Sequence, residues 1–382
     1  MKRANNQHES KTGSDNITNL MYMACIAMLF IFSQQLTAQK IQSREVSGLK
    51  SDMTSLEWFT PLEAKDEGFR VYRATQDDES SMRETVRRLF YVKENYSESE
   101  HSLLYLLELS HNLVELQEDR LALYWINKLI NHPRSKGFTS RSYWMSEIDC
   151  AQKKGHYLLL KVYSRNGLTK EADQLIQSLK PSMPKEHLMI AKAYAVMGMR
   201  QKAVAALQHC ITSGEHIPYE GTTTGPHNPG WVMNQKAVTR ASAAVLAFGL
   251  GNLDLAKRIA EPVVNDEKLK THAWTSRRVS WKVLNDIYHL QNTLSFTGLK
   301  DGTYTGVGYG FDDYIKVEVI VKGGKISDVK VLHTEEGRPY NSIEAMPKRL
   351  ISYNGIADGV SGATVSSNAI VMAVYDALLK SE

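Results

Sequence analysis

The stretch that decides the fold of the C-terminal region runs from Asp358 to Ser367 and reads DGVSGATVSS. Small and hydroxyl side chains dominate it, and an apolar stripe with helical spacing follows. We expect Ser366 or Ser367 to cap a helix here, because serine side chains accept hydrogen bonds from the free N–H groups of a first helical turn. The stripe of that helix consists of Ala369, Ile370, Ala373, Val374, Ala377 and Leu378.

The sequence before this stretch has the pattern of a β-hairpin. Residues 301–306 (DGTYTG) read as a turn that opens a strand, and residues 316–321 (KVEVIV) alternate as a half-buried strand does. Gly323 and Gly324 supply a two-residue turn, after which residues 326–332 return as the partner strand. A polar loop leads from this hairpin to the helix. The predicted unit is a small α+β domain over residues 299–382.

In order, spacing and context, this unit resembles the FMN-binding domain in the flavin subunits of the sodium-translocating quinone reductase and the Rnf complex. The resemblance rests on the motif D-x-x-S-G-A-T at residues 358–364, the opening at 301–306 and the hairpin VKGGKI at 321–326. In that family the threonine ending the motif receives FMN through a phosphoester bond, installed by a flavin transferase that uses FAD. The resemblance therefore implies FMN covalently linked to Thr364, with a flavin transferase as partner.

The recognition sequence around that threonine carries over residue by residue as Asp358, Ser361, Gly362 and Ala363. The local chemistry is compatible with an attached phosphate, because the free N–H groups and the dipole of a helix start favour an anion. Small residues let the backbone come close, and the neighbouring serines can donate hydrogen bonds. A threonine hydroxyl is a poor nucleophile without help, so attachment requires an enzyme in trans or an activating base. Without the resemblance, the same loop reads as an ordinary helix cap.

The isoalloxazine ring needs apolar or aromatic faces and a few polar contacts, since the protein positions the flavin and tunes its electronics. The family tends to place polar contacts to the flavin at the positions of His333 and Glu335, although His333 also fits a structural imidazole. Each aromatic candidate fits a core position equally well. The aromatic candidates are Tyr304, Tyr309, Phe311 and Tyr340.

Upstream, from about Met82 to Leu290, the apolar spacing is helical. A short pattern recurs in which a glycine is predicted to end one helix in a left-handed turn and a small alanine lets the next helix pack closely. It resembles tetratricopeptide-type helical hairpins, although its glycines lie 31 and 53 residues apart against a family period of about 34. The helical body either presents a surface to a protein partner or only positions the C-terminal domain. The pattern comprises Tyr163-x3-Gly167-x4-Ala172, Tyr194-x3-Gly198-x4-Ala203 and Gly251-x4-Ala256.

The N-terminus has the order of a secretory signal: basic residues, an apolar run over 20–32 and small residues ending at Ala38. The run is shorter than the roughly 20 apolar residues that span a bilayer. We expect cleavage after Ala38; an uncleaved segment would instead act as a membrane anchor. Either way the protein is predicted to be exported, to the periplasm or the cell surface. Residues 39–81 read as an irregular linker from which Trp58, Phe59 and Leu62 could dock onto the body.

Composition excludes several functional classes. Formal net charge is only +4 and the charges are dispersed, so the sequence lacks the cluster of basic residues typical of nucleic-acid binding. Cys150 and Cys210 fit two buried thiols or one disulfide, and the cysteine spacing matches no metal or haem site. The sequence also shows no catalytic triad, metal cluster or nucleotide loop.

Together these observations predict a multidomain protein: a signal peptide (1–38), a linker (39–81), an all-α tetratricopeptide-like repeat body (82–292) and an α+β FMN-binding domain (299–382). The function that follows is an extracytoplasmic electron carrier passing electrons between a redox donor and acceptor, rather than an enzyme with its own substrate. The flavin subunits of the ion-pumping complexes have a membrane-spanning helix and lack a helical body, so membership in either pump is not expected. The alternative is a helical-repeat interaction scaffold with a non-covalent or flavin-free C-terminal module.

Overall fold

The structure is a computed structural model that describes residues 53, 56–58, 78–95, 102–133, 135, 151–181, 183–212, 229–272, 275–337, 341–360 and 363–381. All of them lie in one compact unit, residues 51–382. The predicted signal peptide, most of the predicted linker with Phe59 and Leu62, and Cys150 lie outside the described residues. Cys210 is a buried free thiol.

The helical body extends over most of the described chain. Its helices are α1 (Glu79–Asn95), α2 (Ser102–Glu115), α3 (Asp119–Asn131), α4 (Ala151–Arg165), α5 (Thr169–Ser178), α6 (Pro184–Val196), α7 (Arg200–Thr212), α8 (Pro229–Gly249), α9 (Leu253–Val264), α10 (Glu267–Lys270) and α11 (Thr275–His289).

Four helical hairpins, α2–α3, α4–α5, α6–α7 and α8–α9, share one turn. In each, a residue with φ between 61° and 74° ends the first helix, and a fully buried alanine lies five positions later in the second. The predicted left-handed glycines and close-packed alanines are therefore confirmed. The sequence pattern missed the first hairpin because glutamine stands in the left-handed position. The four pairs are Gln117 with Ala122, Gly167 with Ala172, Gly198 with Ala203, and Gly251 with Ala256.

The hairpins stack through their first helices, since α2 contacts α4, α4 contacts α6 and α6 contacts α8. Part of the predicted linker docks onto this body, as expected for Trp58. Its indole Nε1 donates to Glu118 Oε1 at 3.0 Å, and the Arg83 guanidinium lies 5.4 Å from the centre of its ring. None of the described helices is both long and apolar enough to cross a membrane.

The C-terminal region contains an antiparallel sheet in the order β1 (Gly302–Tyr309), β2 (Tyr314–Lys322) and β3 (Lys325–His333). The predicted two-residue turn between β2 and β3 is confirmed, with Gly323 and Gly324 at φ of 60° and 70°. One sheet face buries the alternating valines of β2, and the other faces solvent. The strand pairing that sequence alternation indicated is thus observed.

Two helices complete this region, α12 (Ser342–Ser352) and α13 (Thr364–Leu379). The predicted polar loop is wrong over α12, where the structure has a helix that contains Pro347, a residue unfavourable in helix interiors. The predicted apolar stripe of α13 is confirmed, with all six of its residues buried. The predicted cap is wrong: α13 begins at Thr364 after Ala363, so Ser366 and Ser367 lie within its first turn.

Strand β1 and helix α13 approach each other unusually closely. A Cβ atom on Gly306 would lie 2.0 Å from the main-chain oxygen of Ala373, and one on Gly308 would lie 2.0 Å from that of Ala369. Any side chain at either glycine would therefore push the helix off the strand. The helix runs antiparallel to the strand, which places its N-terminus beside the β1–β2 turn.

The C-terminal region lies against the first helix of every hairpin. Arg349 of α12 pairs with Glu115 of α2, and Asp358 pairs with lysines of α4 and α6. Asn368 of α13 donates to Ser242 Oγ of α8 at 3.0 Å, and the rings of Phe248 and Tyr375 meet edge to face. One face of the helical stack is therefore used within the chain.

Candidate functional site

Thr364 is half-buried at the first position of α13. No side chain of the described residues caps this helix, and Ala363 at the N-cap position has none to offer. The hydroxyl of Ser367 instead accepts from the main-chain N–H of Val360 at 3.0 Å, which folds the preceding loop back onto the helix. Within the part of the chain that the structure describes, the N–H groups of the first turn therefore have no side-chain acceptor.

Glu336 joins this helix start to the turn between β1 and β2, residues 310–313, called the hairpin tip below. Its Oε1 accepts hydrogen bonds from the main-chain N–H groups of Phe311 and Asp312, and its Oε2 accepts from the hydroxyl of Ser366. Asp312 in turn accepts from the N–H of Gly337 at 2.8 Å. Partial burial raises the pKa of Glu336 above its usual value.

Exposed aromatic side chains surround the hairpin tip. Tyr309, Phe311 and Tyr314 are about two-fifths exposed, each at 39–42%. Tyr314 stacks on the ring of His333 with centroids 4.6 Å apart, and the ammonium of Lys282 lies 5.0 Å from the centre of the Tyr309 ring. Large aromatic surfaces are thus available to a planar ligand near the start of α13.

The motif residue Asp358 is held by two lysines of the helical body. Its Oδ2 lies 2.8 Å from Lys161 Nζ, and its Oδ1 lies 3.1 Å from Lys192 Nζ. Lys161 also donates to the main-chain oxygen of Gly359 at 3.3 Å, and Arg349 donates to that of Asp358 at 3.1 Å. Side chain and backbone are therefore fixed at this end of the motif.

The same cations share a second carboxylate, Glu115, whose side chain is fully buried. Glu115 lies 2.8 Å from Lys161 and 2.9 Å from Arg349, with His111 3.7 Å away. Burial lowers the pKa of His111 to about 4, so its ring is neutral at neutral pH. Two carboxylates and three cations thus form one ion network between the helical body and the motif.

Burial alone would raise the pKa values of both carboxyl groups in this network. The attraction of Lys161 and Lys192 outweighs that effect at Asp358 and holds its pKa well below the ordinary value. Lys161 and Arg349 do the same for Glu115. Both groups are therefore ionised at neutral pH, and neither is suited to act as a proton donor there.

The structure brings together only some of the sequence-predicted residues. Ala363, Ser366 and Ser367 lie around Thr364, and Tyr309 and Phe311 lie at or beside the linked hairpin tip. Tyr304 lies near the opposite end of α13, where Lys380 bonds the neighbouring Thr305, roughly 20 Å along the helix from Thr364. Ser361, Gly362 and Tyr340 are outside the described residues.

Glu335 is exposed and lies beside His333 rather than at the helix start, with its Oε1 3.9 Å from the imidazole Nε2. Asp313 completes a group of three potential metal ligands whose atoms lie within 4.8 Å of one another. The neighbouring Glu336, and not Glu335, bonds Ser366 at the start of α13, while the role predicted for Glu335 stays a prediction. The sequence alone does not show which of two adjacent glutamate side chains faces the start of α13.

Other contributors had no sequence signal at all. Tyr314 belongs to a strand whose alternation does not mark it, and Lys161 and Lys192 lie about 200 and 170 residues before the motif that they contact. Such long-range partners follow only from the way the helical hairpins stack. The charge pattern of one helix cannot reveal them.

Comparison with known proteins agrees with the geometry of the C-terminal region. Neither the curated proteins nor the solved structures returned a match to this chain. A family model described as the FMN-binding domain matches residues 310–379, from the hairpin tip through the end of α13. The C-terminal region of this chain is therefore a member of the FMN-binding domain family.

Proposed function

We propose that this protein is an extracytoplasmic electron carrier whose FMN is esterified through its phosphate to Thr364. The observation that carries the proposal is the position of Thr364, which ends the D-x-x-S-G-A-T motif and begins a long buried helix that no side chain of the described residues caps. FMN is the redox group of its domain family and would supply the electron-transfer chemistry. The chain supplies the residues that hold it.

The start of α13 fits a phosphate group. Free N–H groups and the positive end of a helix dipole favour an anion at this position. The helix is 16 residues long and packs along β1, so its first turn is held in place. The hydroxyl of Ser366 donates to Glu336, whereas that of Ser367 accepts from the N–H of Val360 and keeps its own proton. Among the described residues, the N–H groups of the first turn and the Ser367 hydroxyl are therefore left as donors to a phosphate.

The hairpin tip fits an isoalloxazine ring. Its exposed aromatic rings, Tyr309, Phe311 and Tyr314, offer faces of the type on which a planar conjugated ring stacks. Glu336 fixes the tip relative to Ser366 and hence relative to Thr364. The aromatic rings of the tip would hold the ring system of a flavin tethered at Thr364.

The helical body, which we interpret as a tetratricopeptide-like repeat, positions this domain. Each first helix of its four hairpins touches the C-terminal region, which supports positioning over a scaffold role for that face. The remaining surface of the hairpins would bind the redox donor and acceptor and so determine which proteins they are. Export rests on the N-terminal sequence pattern, with either cleavage after Ala38 or retention as an anchor.

The test is co-expression with a flavin transferase, followed by denaturing electrophoresis and flavin fluorescence of the band. We expect a fluorescent band for the wild type, because a phosphoester survives denaturation. Thr364→Val keeps the shape of the side chain but has no hydroxyl, so its band should be dark. A dark wild-type band would contradict covalent attachment.

A matched control separates the acceptor from another threonine of the same domain. Thr303→Val makes the same substitution at an exposed position of β1 and keeps Thr364, so it should remain fluorescent. If the protein is dark under all conditions and purified protein binds added FMN no better than Thr364→Val does, the flavin-free alternative is favoured instead.

A further inference from the structure

The described residues that follow α12, residues 353–360, are here called the motif segment. It lies against the helical body through Asp358, whose carboxylate contacts Lys161 of α4 and Lys192 of α6 at 2.8 Å and 3.1 Å. The main-chain oxygens of Asp358 and Gly359 accept from Arg349 and Lys161. The polar groups at its centre are thus occupied by residues outside it.

Val360 at its end and Ala363 just before α13 are also covered. Val360 is 1% exposed and Ala363 4% exposed, and the N–H of Val360 is bonded to the hydroxyl of Ser367. An enzyme that recognises this sequence must reach these side chains and this backbone. In the structure it finds the Asp358 carboxylate held by two lysines and Val360 and Ala363 buried, whereas Gly359 and Thr364 are half-buried.

The proposed attachment needs that access. In the reaction, the hydroxyl oxygen of Thr364 attacks the flavin-side phosphorus of FAD, the bond from that phosphorus to the bridging oxygen breaks, and AMP leaves. The hydroxyl proton passes to a base of the transferase. FAD and the transferase are therefore both required at a threonine whose preceding residues are held against the helical body.

We propose that the helical body is a latch on flavin attachment, and that the contact of Lys161 and Lys192 with Asp358 keeps the latch closed. The transferase acts on the chain when the motif segment is released from these lysines. After attachment the segment returns and the two lysines hold the finished site. This inference rests on the proposed covalent function.

The opening is confined to the motif segment. Helix α13 stays in place because its contacts with β1 and α8 are extensive, including the Phe248–Tyr375 ring pair and the close approach at Gly306 and Gly308. The motif segment contains no helix or strand in its described residues. Local opening of such a connection costs less than global unfolding.

The test measures the initial rate of covalent flavin incorporation into purified apoprotein by purified flavin transferase and FAD. Lys192→Met removes one of the two partners of Asp358 and leaves Lys161 to neutralise both carboxylates. We expect its rate to rise about fivefold, the change that roughly 1 kcal/mol of weaker closure produces in the open population. Lys192→Arg keeps the charge and should react at the wild-type rate.

Lys202→Met is the matched control, because it removes a lysine from the next helix whose partner, Asp173, is remote from the motif. Its rate should equal that of the wild type. An unchanged or slower rate for Lys192→Met, with normal incorporation into the wild type, would overturn the latch. If the wild type never incorporates flavin, the proposed function is refuted instead. Thr364→Val gives the background signal of the incorporation assay.

A measurement without substitutions keeps the inference testable if Lys192→Met folds poorly. In the wild-type apoprotein, the main-chain amides of the motif segment should exchange hydrogen faster than those of α13, through local opening. The latch fails if those amides exchange only with the global unfolding of the protein.

Discussion

The two ends of the sequence around Thr364 are built in opposite ways. At one end, Asp358 lies in an ion network with Lys161, Lys192, Arg349 and the buried Glu115, and its backbone is held as well. At the other end, the hairpin tip carries aromatic rings that are about two-fifths exposed and joins the helix start through Glu336 alone among the described carboxylates. The first end is fixed by charge within the chain, and the second leaves surface for a ligand.

This difference indicates how a small domain can hold a flavin while remaining accessible. The ion network around Asp358, called the clamped end below, sets the position of the loop before α13. The close packing of β1 on α13 sets the position of the hairpin. The hairpin tip, called the open end below, is held by Glu336 and keeps its aromatic rings partly exposed. Substitutions at the two ends should consequently affect different properties, stability at the first and flavin environment at the second.

The largest effect is expected at Glu115. Glu115→Ala leaves Lys161 and Arg349 buried with one carboxylate fewer, which typically costs about 3–5 kcal/mol of unfolding free energy. Urea or thermal unfolding measures the loss. Asp173→Ala removes a more exposed pair with Lys202 and should cost about 0–1 kcal/mol. Equal losses for the two variants would show that the network is not a special anchor.

The next effect is expected at Gly308, where the hairpin meets α13. Gly308→Ala places a Cβ about 2.0 Å from the main-chain oxygen of Ala369, and relieving such overpacking typically costs about 1–3 kcal/mol. The shift should also reduce flavin incorporation, since it moves the hairpin tip away from Thr364. Val307→Ala alters the exposed face of the same strand and should change neither quantity.

Acid should weaken the clamped end, whose carboxyl pKa values are lowered, but not the open end, where the pKa of Glu336 is raised. The unfolded chain binds protons near the ordinary pKa values, 3.8 for Asp358 and 4.5 for Glu115, whereas both folded values lie lower. Their contribution to stability is therefore present above about pH 5 and is lost as the pH falls through the folded values. Thermal melts between pH 7 and 2 measure it, with those pH limits set by the range of carboxyl titration.

Asp358→Asn provides the comparison for that experiment. The asparagine cannot ionise, so the melting temperature of this variant should be lower at neutral pH and should fall less steeply towards acid. A pH dependence identical to that of the wild type would show that the Asp358 carboxylate does not contribute to the acid sensitivity.

The smallest effect on stability is expected at the hairpin tip. Tyr309→Ser with Phe311→Ser should change the unfolding free energy by no more than about 0.5 kcal/mol, as at most surface sites. The fluorescence of attached flavin in the folded protein should rise, because aromatic rings in contact with flavin quench it. Leu332→Ser, at an exposed position of β3, should leave the fluorescence unchanged. Unchanged fluorescence in the double variant would remove these rings from the flavin site.

Much of the local structure followed from the sequence because its signals are local. Glycine before a buried alanine predicted three hairpin turns, and Gly323-Gly324 predicted the strand turn. The exceptions have definite physical reasons: Gln117 adopts a left-handed conformation that glutamine rarely shows, and Pro347 lies inside a helix. The serines near Thr364 were predicted to cap α13, but the helix begins two residues before the first of them.

The site was only partly predictable because half of it comes from distant parts of the chain. The motif identified Thr364 and its immediate neighbours. Tertiary packing decides the other features: which lysines contact Asp358, that Glu336 rather than Glu335 bonds Ser366, and how far Tyr304 lies from Thr364. The cluster of Asp313, His333 and Glu335 likewise results from strand pairing rather than from spacing along the sequence.

The intact mass of the purified protein after expression with a flavin transferase tests the central claim most directly. The account predicts a mass increase of one FMN less one water, present in the wild type and absent from Thr364→Val. Fragmentation should locate the added mass on the peptide that contains Thr364. An unmodified mass for wild-type protein that has been exposed to active transferase and FAD would contradict it.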